Sequence, residues 1–290
     1  MELQGRIDDL TRQGLGVAVI SYDPPEILAA FARAQRISFP LLSDSDSTTI
    51  RRYGILNPLP ELALAGGAVD PALKAELQRY VSPGTPASLM AGMAFPGTFV
   101  VDRQGRVTSR FFEEYYVERN TVASVMMKLG TGGAPVNVLK LSTPHLDATA
   151  FPSDGEVAVG NRFTIALDVT PKPGIHVYAP GAAGYRVITL AIAEQPAIRV
   201  LPIQYPPSEV YVFAPLNERV AVYQKPFRLL REIVVEGTPP AQAALRGQTA
   251  LTMGGTLEYQ ACDDKVCFNP VALPVSWTLS LRPLVTTRPR

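Results

Sequence analysis

Apolar and polar positions follow two different rhythms along this chain, changing near residue 130. In the first part, helical spacing alternates with short apolar runs. Leu3, Ile7 and Leu10 share one face of a helix over 2–13, since residues three and four apart lie on the same side. Gly14 stops it. GVAVIS (16–21) is a short apolar run of the kind found in a buried parallel strand. Asp23-Pro24-Pro25 opens a helix over 25–35, with proline in the first turn, where its missing N–H costs nothing. FPLLSD (39–44) reads as a second strand and 46–53 as a short helix. Residues 57–92 are an insertion rich in Pro, Gly and Ala that holds one helical stretch over 70–81. PGTFVVDRQGRVTSRFF (96–112) carries two alternating segments around Asp102-Arg103-Gln104-Gly105, a hairpin turn signal in which Asp102 serves the turn. An amphipathic helix over 117–128 ends this part. The order α-β-α-β-α-β-β-α predicts a mixed α/β layer fold.

Beyond residue 130 the period becomes two. Residues 130–152 mix Gly, Pro and Thr without a period and read as a linker. Strands follow at 162–171, 175–179, 185–193, 198–205, 218–224, 227–235, 256–262 and 273–281. Short strands at even spacing predict a β-sandwich, with Trp277 in its core. The expected domains are 1–130, a linker over 131–153, and 154–285.

Composition narrows the function. A length of 290 residues suits two domains. With 47% hydrophobic and 18% charged residues, a packed core is expected rather than disorder. The net charge is +1, with scattered Lys and Arg, which excludes nucleic acid as a partner because phosphate binding needs a clustered basic face. No apolar run approaches ~18 residues, so no membrane span is expected, and no signal peptide is visible at Met1.

The chain has two cysteines, in the run Cys262-Asp-Asp-Lys-Val-Cys267. A pair this close encloses a very small loop, which stabilises least by the chain-entropy argument, so chemistry is the stronger reason for it. Thiol–disulfide exchange needs one sulfur to be attacked in line and a second nearby to resolve the mixed disulfide. A tight turn can bring two Cα atoms within the required ~5–6 Å. Asp263 and Asp264 would raise a nearby thiol pKa and Lys265 would lower it. The plain alternative is a structural disulfide or two quiet thiols. His145 and His176 are the only histidines. A Cys/Cys/His metal site through His176 has no support from spacing, so neither metal nor cofactor is expected.

FPLLSDSDSTTIRRYGI followed by AFPGTFVVDRQGRV resembles the thioredoxin-fold redoxins of the peroxiredoxin (AhpC/TSA) type over roughly residues 2–130. The resemblance implies a thioredoxin-like α/β domain, with Pro96 where such folds place a cis-proline beside the active cysteine. In that family the attacking cysteine opens the first core helix after a central strand. This chain begins inside that helix, and no cysteine precedes Cys262. The domain is therefore N-terminally truncated relative to the family. Its missing strand would leave two neighbours with unpaired edges. Either the natural chain starts upstream of Met1, or this is a degenerate redoxin with a rebuilt edge.

GGTLEYQACDDKVCFNP, with GIHVYAPG and ERVAVYQKPF before it, resembles the N-terminal periplasmic domain of the thiol:disulfide interchange protein DsbD over about 155–285. The resemblance implies an all-β immunoglobulin-like sandwich with a redox-active cysteine pair. It implies that Cys267 forms the mixed disulfide with partners and that Cys262 resolves it. It also implies an aromatic cap loop over the pair. VYVFAPLNE (210–218) falls at that loop, which makes Phe213 the first cap candidate and Leu216 the next, with Tyr178 lining the same site. For Phe213 and Tyr178 the plain alternative is packing. The family often has an aromatic and two prolines after the second cysteine, whereas this chain reads Phe268-Asn269-Pro270. The membrane-spanning and thioredoxin parts of DsbD are missing.

Three functions follow. The first is a dithiol–disulfide relay through Cys262 and Cys267, fed by thioredoxin-like proteins or a membrane electron donor, in which fusion raises the effective concentration of a redoxin. The second is a peroxiredoxin-type antioxidant enzyme in a longer native chain. The third is a non-catalytic binding module for thioredoxin-like partners. The chemistry and the resemblance imply an extracytoplasmic setting, the bacterial periplasm.

Overall fold

The computed structural model describes residues 2–64, 71, 88, 90–112, 118–132, 135–213 and 218–283. The chain divides into two compact units, Met1–Val122 and Ala123–Arg290.

The first unit opens with helices α1 (Glu2–Gly5) and α2 (Ile7–Arg12), which split the expected 2–13 helix in two. Strand β1 (Val19–Ser21) runs parallel to β2 (Leu41–Ser43). Parallel neighbours need a crossover, supplied by α3 (Pro25–Gln35), which starts on its proline and ends where Arg36 turns left-handed at φ 53. The buried Asp44 carboxylate then accepts the Thr49 and Ile50 N–H groups at 3.0 and 2.8 Å, capping α4 (Thr48–Arg52). Helix α5 (Leu59–Leu64) follows. The expected 70–81 helix lies, but for residue 71, outside the described residues.

Strands β3 (Gly97–Val101) and β4 (Val107–Phe112) form the expected hairpin. Asp102 Oδ1 accepts the Gln104 and Arg106 N–H groups, both at 2.9 Å, and Gly105 takes φ 79, a region open to glycine without steric cost. Among the described residues no peptide bond is cis, so Pro96 follows a trans bond where the resemblance implied a cis one. The β1–β2 and β3–β4 pairs are separate two-stranded sheets. The unit ends in the two-residue strand β5 (Arg119–Asn120), where sequence had predicted the start of a helix. That helix, α6, runs from Val122 to Lys128.

The second unit is a sandwich. Strands β6 (Leu139–Ser142), β7 (Leu146–Pro152), β9 (Asn161–Pro171), β12 (Ile198–Gln204) and β15 (Phe227–Val235) form one sheet in the order β12-β15-β9-β7-β6. Strands β8 (Glu156–Val157), β11 (Thr189–Ile192), β16 (Ala250–Tyr259) and β18 (Val271–Leu281) form a second, in the order β11-β16-β18-β8. Strands β10 (His176–Tyr178), β13 (Glu209–Phe213), β14 (Glu218–Tyr223) and β17 (Ala261–Cys262) form a third, in the order β13-β14-β10-β17. A short helix, α7 (Pro239–Leu245), is capped by Thr238. Phe163, Ile165, Leu229, Ile233, Met253 and Trp277 are among the buried residues that fill the core.

Residues 131–153 are not a linker throughout: β6 and β7 pair with each other, and β7 pairs with β9. The alternation was present as Leu139, Leu141, Leu146, Ala148 and Ala150, but small alanines and threonines gave it little amplitude. Strand β9 is buried on both faces, because α6 covers its outer side through Met127, Phe151 and Ala166. Under that helix the buried Glu232 carboxylate takes Lys128 Nζ, Arg162 Nη2 at 2.9 Å and Gln204 Nε2 at 3.0 Å. Burial raises the Glu232 pKa, and the hydrogen bonds from Arg162 and Lys128 outweigh it, leaving the carboxyl below its ordinary value.

Candidate functional site

The cysteines sit where β17 ends and the chain turns back. Cys262 and Cys267 are bonded as a disulfide, with Cα atoms 4.1 Å apart, and pair as an antiparallel bridge. The turn between them is built by Asp263. Its N–H donates to the Val266 carbonyl at 3.0 Å. Its Oδ1 accepts the Lys265 and Val266 N–H groups at 2.7 and 2.6 Å. These bonds, Val266's foremost and then Lys265's, hold the Asp263 carboxyl below its usual pKa. Below the turn, the Phe268 N–H returns to the Ala261 carbonyl at 2.9 Å, and Gln260 Nε2 donates to the Phe268 carbonyl at 3.1 Å. The two sulfurs therefore sit on a closed hairpin. They differ in access: Cys262 is 1% exposed, whereas Cys267 is open to solvent.

Directly opposed residues in an antiparallel pair share a face. His176 opposes Cys262 across β10–β17. Tyr178 opposes Val222 across β10–β14, and Tyr211 opposes Val220 across β13–β14. This face therefore gathers Cys262, His176, Tyr178 and Tyr211. The Tyr178 hydroxyl lies 2.8 Å from Cys262 Sγ and 3.3 Å from Cys267 Sγ. Its ring stacks on Tyr185 at 4.0 Å and 13°, and the Tyr185 hydroxyl donates to the Glu218 carboxylate, 2.9 Å from each oxygen. His176 is buried, edge-on to Tyr178 at 5.7 Å and tilted against Tyr211 at 4.4 Å.

Electrostatics follow from this packing. Burial raises the Tyr178 pKa far above the phenolic range, with Tyr185 and Glu218 adding to it. Tyr178 is thus a neutral phenol beside the sulfurs near pH 7. Hydrogen bonding to Glu218, then burial, raises the Tyr185 pKa. Burial lowers the His176 pKa and Asp263 offsets part of this, so His176 is a neutral ring near pH 7. Among the described residues no group of three or more His, Cys, Asp or Glu side chains is arranged to hold a metal.

Of the residues singled out from sequence, the fold brings Cys262, Cys267 and Tyr178 together. The expected cap segment is in part a strand, β13, whose backbone ends at Phe213 opposite Glu218. Leu216 lies outside the described residues. Tyr185, Tyr211 and Glu218 went unnoticed in the sequence. Tyr211 had a usable signal, standing two residues before Phe213 and so on the same face of a strand. Tyr185 had none, since it lies in the connection between β10 and β11.

Comparison with known proteins divides the chain in the same way. Residues 1–110 match the AhpC/TSA family, and residues 147–275 match the family "Thiol:disulfide interchange protein DsbD, N-terminal". Over 53 residues the chain is 43% identical to a Mycobacterium tuberculosis (strain H37Rv) protein that carries the peroxiredoxin name. Over the same length it is 38% identical to peroxiredoxin Bcp of Escherichia coli K12. Each match covers 18% of this chain and 34% of the relative, so the chain spans about a third of the length of the curated relatives it matches. Among solved structures, the N-terminal periplasmic domain of ScsB from Proteus mirabilis aligns at 14% identity over 51% of each chain, with TM-score 0.34. The reduced DsbD N-terminal domain of Neisseria meningitidis aligns at 13% identity over 40% of this chain and 80% of that one, with TM-score 0.28.

Proposed function

We propose that this chain, which joins an AhpC/TSA-type redoxin segment to a DsbD N-terminal-type sandwich, passes electrons by thiol–disulfide exchange through Cys262 and Cys267. The observation that carries this reading is the asymmetry of the pair: an exposed sulfur bonded to a buried one on a short hairpin, with the Tyr178 hydroxyl in reach of both. A disulfide placed only for stability gains little from so small a loop. A disulfide placed for exchange needs one sulfur open to in-line attack and another shielded from every thiol but its neighbour.

In this reading a partner thiolate attacks Cys267 Sγ, the Cys262–Cys267 bond breaks, and the electron pair leaves on Cys262 Sγ. A second partner thiolate then attacks the mixed disulfide and frees Cys267. Two electrons and two protons reach the pair, and the partner leaves as a disulfide. The donor is a thioredoxin-like protein or a membrane electron donor, and the acceptor is a redoxin. The setting is extracytoplasmic, in the bacterial periplasm, where such pairs are exchanged. The AhpC/TSA segment contains no cysteine, so peroxide reduction there would need a sulfur from outside that segment.

The roles of the sulfurs are tested with glutathione disulfide as probe. Cys262→Ser should accumulate a stable mixed disulfide at Cys267, read by mass spectrometry. Cys267→Ser should form little, because its one thiol is buried. Equal trapping by both variants would overturn the assignment. Trapping by neither would leave a binding module that docks partners without exchange.

A further inference from the structure

Cys262 is fixed by the sheet, since β17 pairs with β10 through His176. Cys267 is exposed and lies beyond the turn, so once the disulfide opens its place depends on what holds the returning arm of the hairpin. Phe268, the next residue, supplies that hold. Its backbone is tied to Ala261 and to the Gln260 side chain. Its half-buried ring lies tilted against the ring of His145, with 4.4 Å between centroids. His145 comes from the turn between β6 and β7, just before the stretch 147–275 that matches the DsbD N-terminal family. The imidazole is itself locked. His145 Nδ1 lies 3.3 Å from the Tyr259 hydroxyl, which donates to Thr143 Oγ1 at 2.8 Å, and Thr143 Oγ1 donates to the Leu146 carbonyl at 3.1 Å. Each hydroxyl has one hydrogen. Both are used along this line, so the Tyr259 oxygen accepts from His145 Nδ1–H. Tyr259 is fully buried, and the direction of the His145 ring is therefore set from inside the core.

We propose that His145 is a positioning residue for Cys267: through Phe268 it keeps the Cys267 sulfur in reach of Cys262 while the pair is reduced. This rests on the exchange reading above. In the oxidised protein the S–S bond closes the hairpin by itself. In the reduced protein the hairpin is closed by its own hydrogen bonds and by the contact between Phe268 and His145. Delivery of electrons then takes two steps. The Cys267 thiolate attacks a partner disulfide, one partner sulfur leaves with the electron pair, and Cys267 is left in a mixed disulfide. The Cys262 thiolate next attacks Cys267 Sγ, the bond from Cys267 to the second partner sulfur breaks, and that sulfur leaves with its electron pair. The pair is oxidised to a disulfide, the partner disulfide is reduced to two thiols, and the two protons of the pair end on them. The first step is bimolecular and asks only that Cys267 be exposed. The second is intramolecular, and its rate follows the effective concentration of one sulfur at the other. His145 acts on this second step and on the balance between dithiol and disulfide.

The test uses the full chain, reduced, freed of reductant and mixed with glutathione disulfide. Acid quench, alkylation and mass spectrometry follow the mixed disulfide and its resolution. His145→Ala should leave formation of the mixed disulfide at Cys267 within about twofold of the parent and slow its resolution about three- to tenfold, the range an aromatic pair contributes. In glutathione buffers its equilibrium should move toward the dithiol by the same factor, about 15–30 mV for a two-electron couple. His145→Phe keeps a ring against Phe268 and should restore both readouts. His145→Gln keeps a donor toward Tyr259 without the ring and should not. Phe268→Leu removes the ring from the other side of the contact and should reproduce the defect, which carries the test if His145→Ala does not fold. The double variant should be no slower than the slower single one, since both act through one contact. Resolution and equilibrium within about 1.5-fold of the parent in both single variants would overturn the proposal. Equal slowing of both steps, or a His145→Phe variant as slow as His145→Ala, would overturn it too, because either makes His145 a packing residue. A parent chain that forms no mixed disulfide removes the exchange reading instead, and the equilibrium shift still decides the role of His145.

Discussion

Removing one oxygen from the site should move the redox equilibrium of the pair. Tyr178→Phe deletes the hydroxyl that reaches both sulfurs and keeps the ring that stacks on Tyr185. A disulfide sulfur is a weak acceptor, whereas a thiol or thiolate sulfur accepts better, so the lost bond favours the oxidised form. A net hydrogen bond is worth ~1 kcal/mol, and one to a charged group ~1.5–3 kcal/mol. For a two-electron couple ~1.4 kcal/mol corresponds to ~30 mV. The variant's potential should therefore lie roughly 20–60 mV below that of the parent. The assay is equilibration of both proteins in the same series of thiol buffers, with quenched alkylation to count reduced pairs. A shift in the positive direction, or one under about 5 mV (well below a single hydrogen bond on this scale), would refute the reasoning and make Tyr178 a packing residue.

Three further outcomes follow from the sandwich. Glu232→Ala leaves Lys128 and Arg162 without the buried carboxylate they both bond, and breaking such a group typically costs ~3–5 kcal/mol; a loss near 3 kcal/mol is expected in urea unfolding of the second unit, and a loss under ~1 kcal/mol would contradict it. Gly255→Ala places a Cβ 2.2 Å from the Ala191 carbonyl oxygen, between paired strands β16 and β11, so a melting shift equivalent to ~1–3 kcal/mol of overpacking is expected, and an unchanged melting temperature would show that the strands separate freely. His176 has a depressed folded pKa, chiefly from burial, so the unfolded chain binds its proton first. Its contribution is complete above the unfolded pKa of ~6.5 and fades as pH falls from there toward the folded value. In His176→Phe, stability between pH 7.5 and 5 should depend less on pH, as read by thermal melts at each pH.

The architecture was legible wherever apolar residues follow a simple period along the chain. Helix α3, the β3–β4 hairpin and the long strands β9, β15 and β18 announced themselves through proline placement, turn residues and alternation. Strands β6 and β7 did not, because β6 is only four residues long and two of the buried positions of β7 are the small Ala148 and Ala150. Strand β13 was hidden by the expectation of a cap loop. The disulfide pair was legible as local spacing, and Tyr178 through the resemblance around HVYA. The Tyr185–Glu218 contact was not, since it joins a connection after β10 to the first residue of β14, 33 positions away. Such a contact is set by strand order, and one-dimensional pattern carries no trace of it. Register alone explains why His176, dismissed as a metal ligand, stands opposite Cys262.

The most direct test of the account is the reduction potential of the Cys262–Cys267 pair in the intact chain, from quenched alkylation across thiol buffers of graded poise. A value between about −120 and −270 mV, the span of proteins that exchange disulfides, is the predicted result. A value below about −300 mV, where structural disulfides lie, would contradict the account and leave the hairpin as a staple.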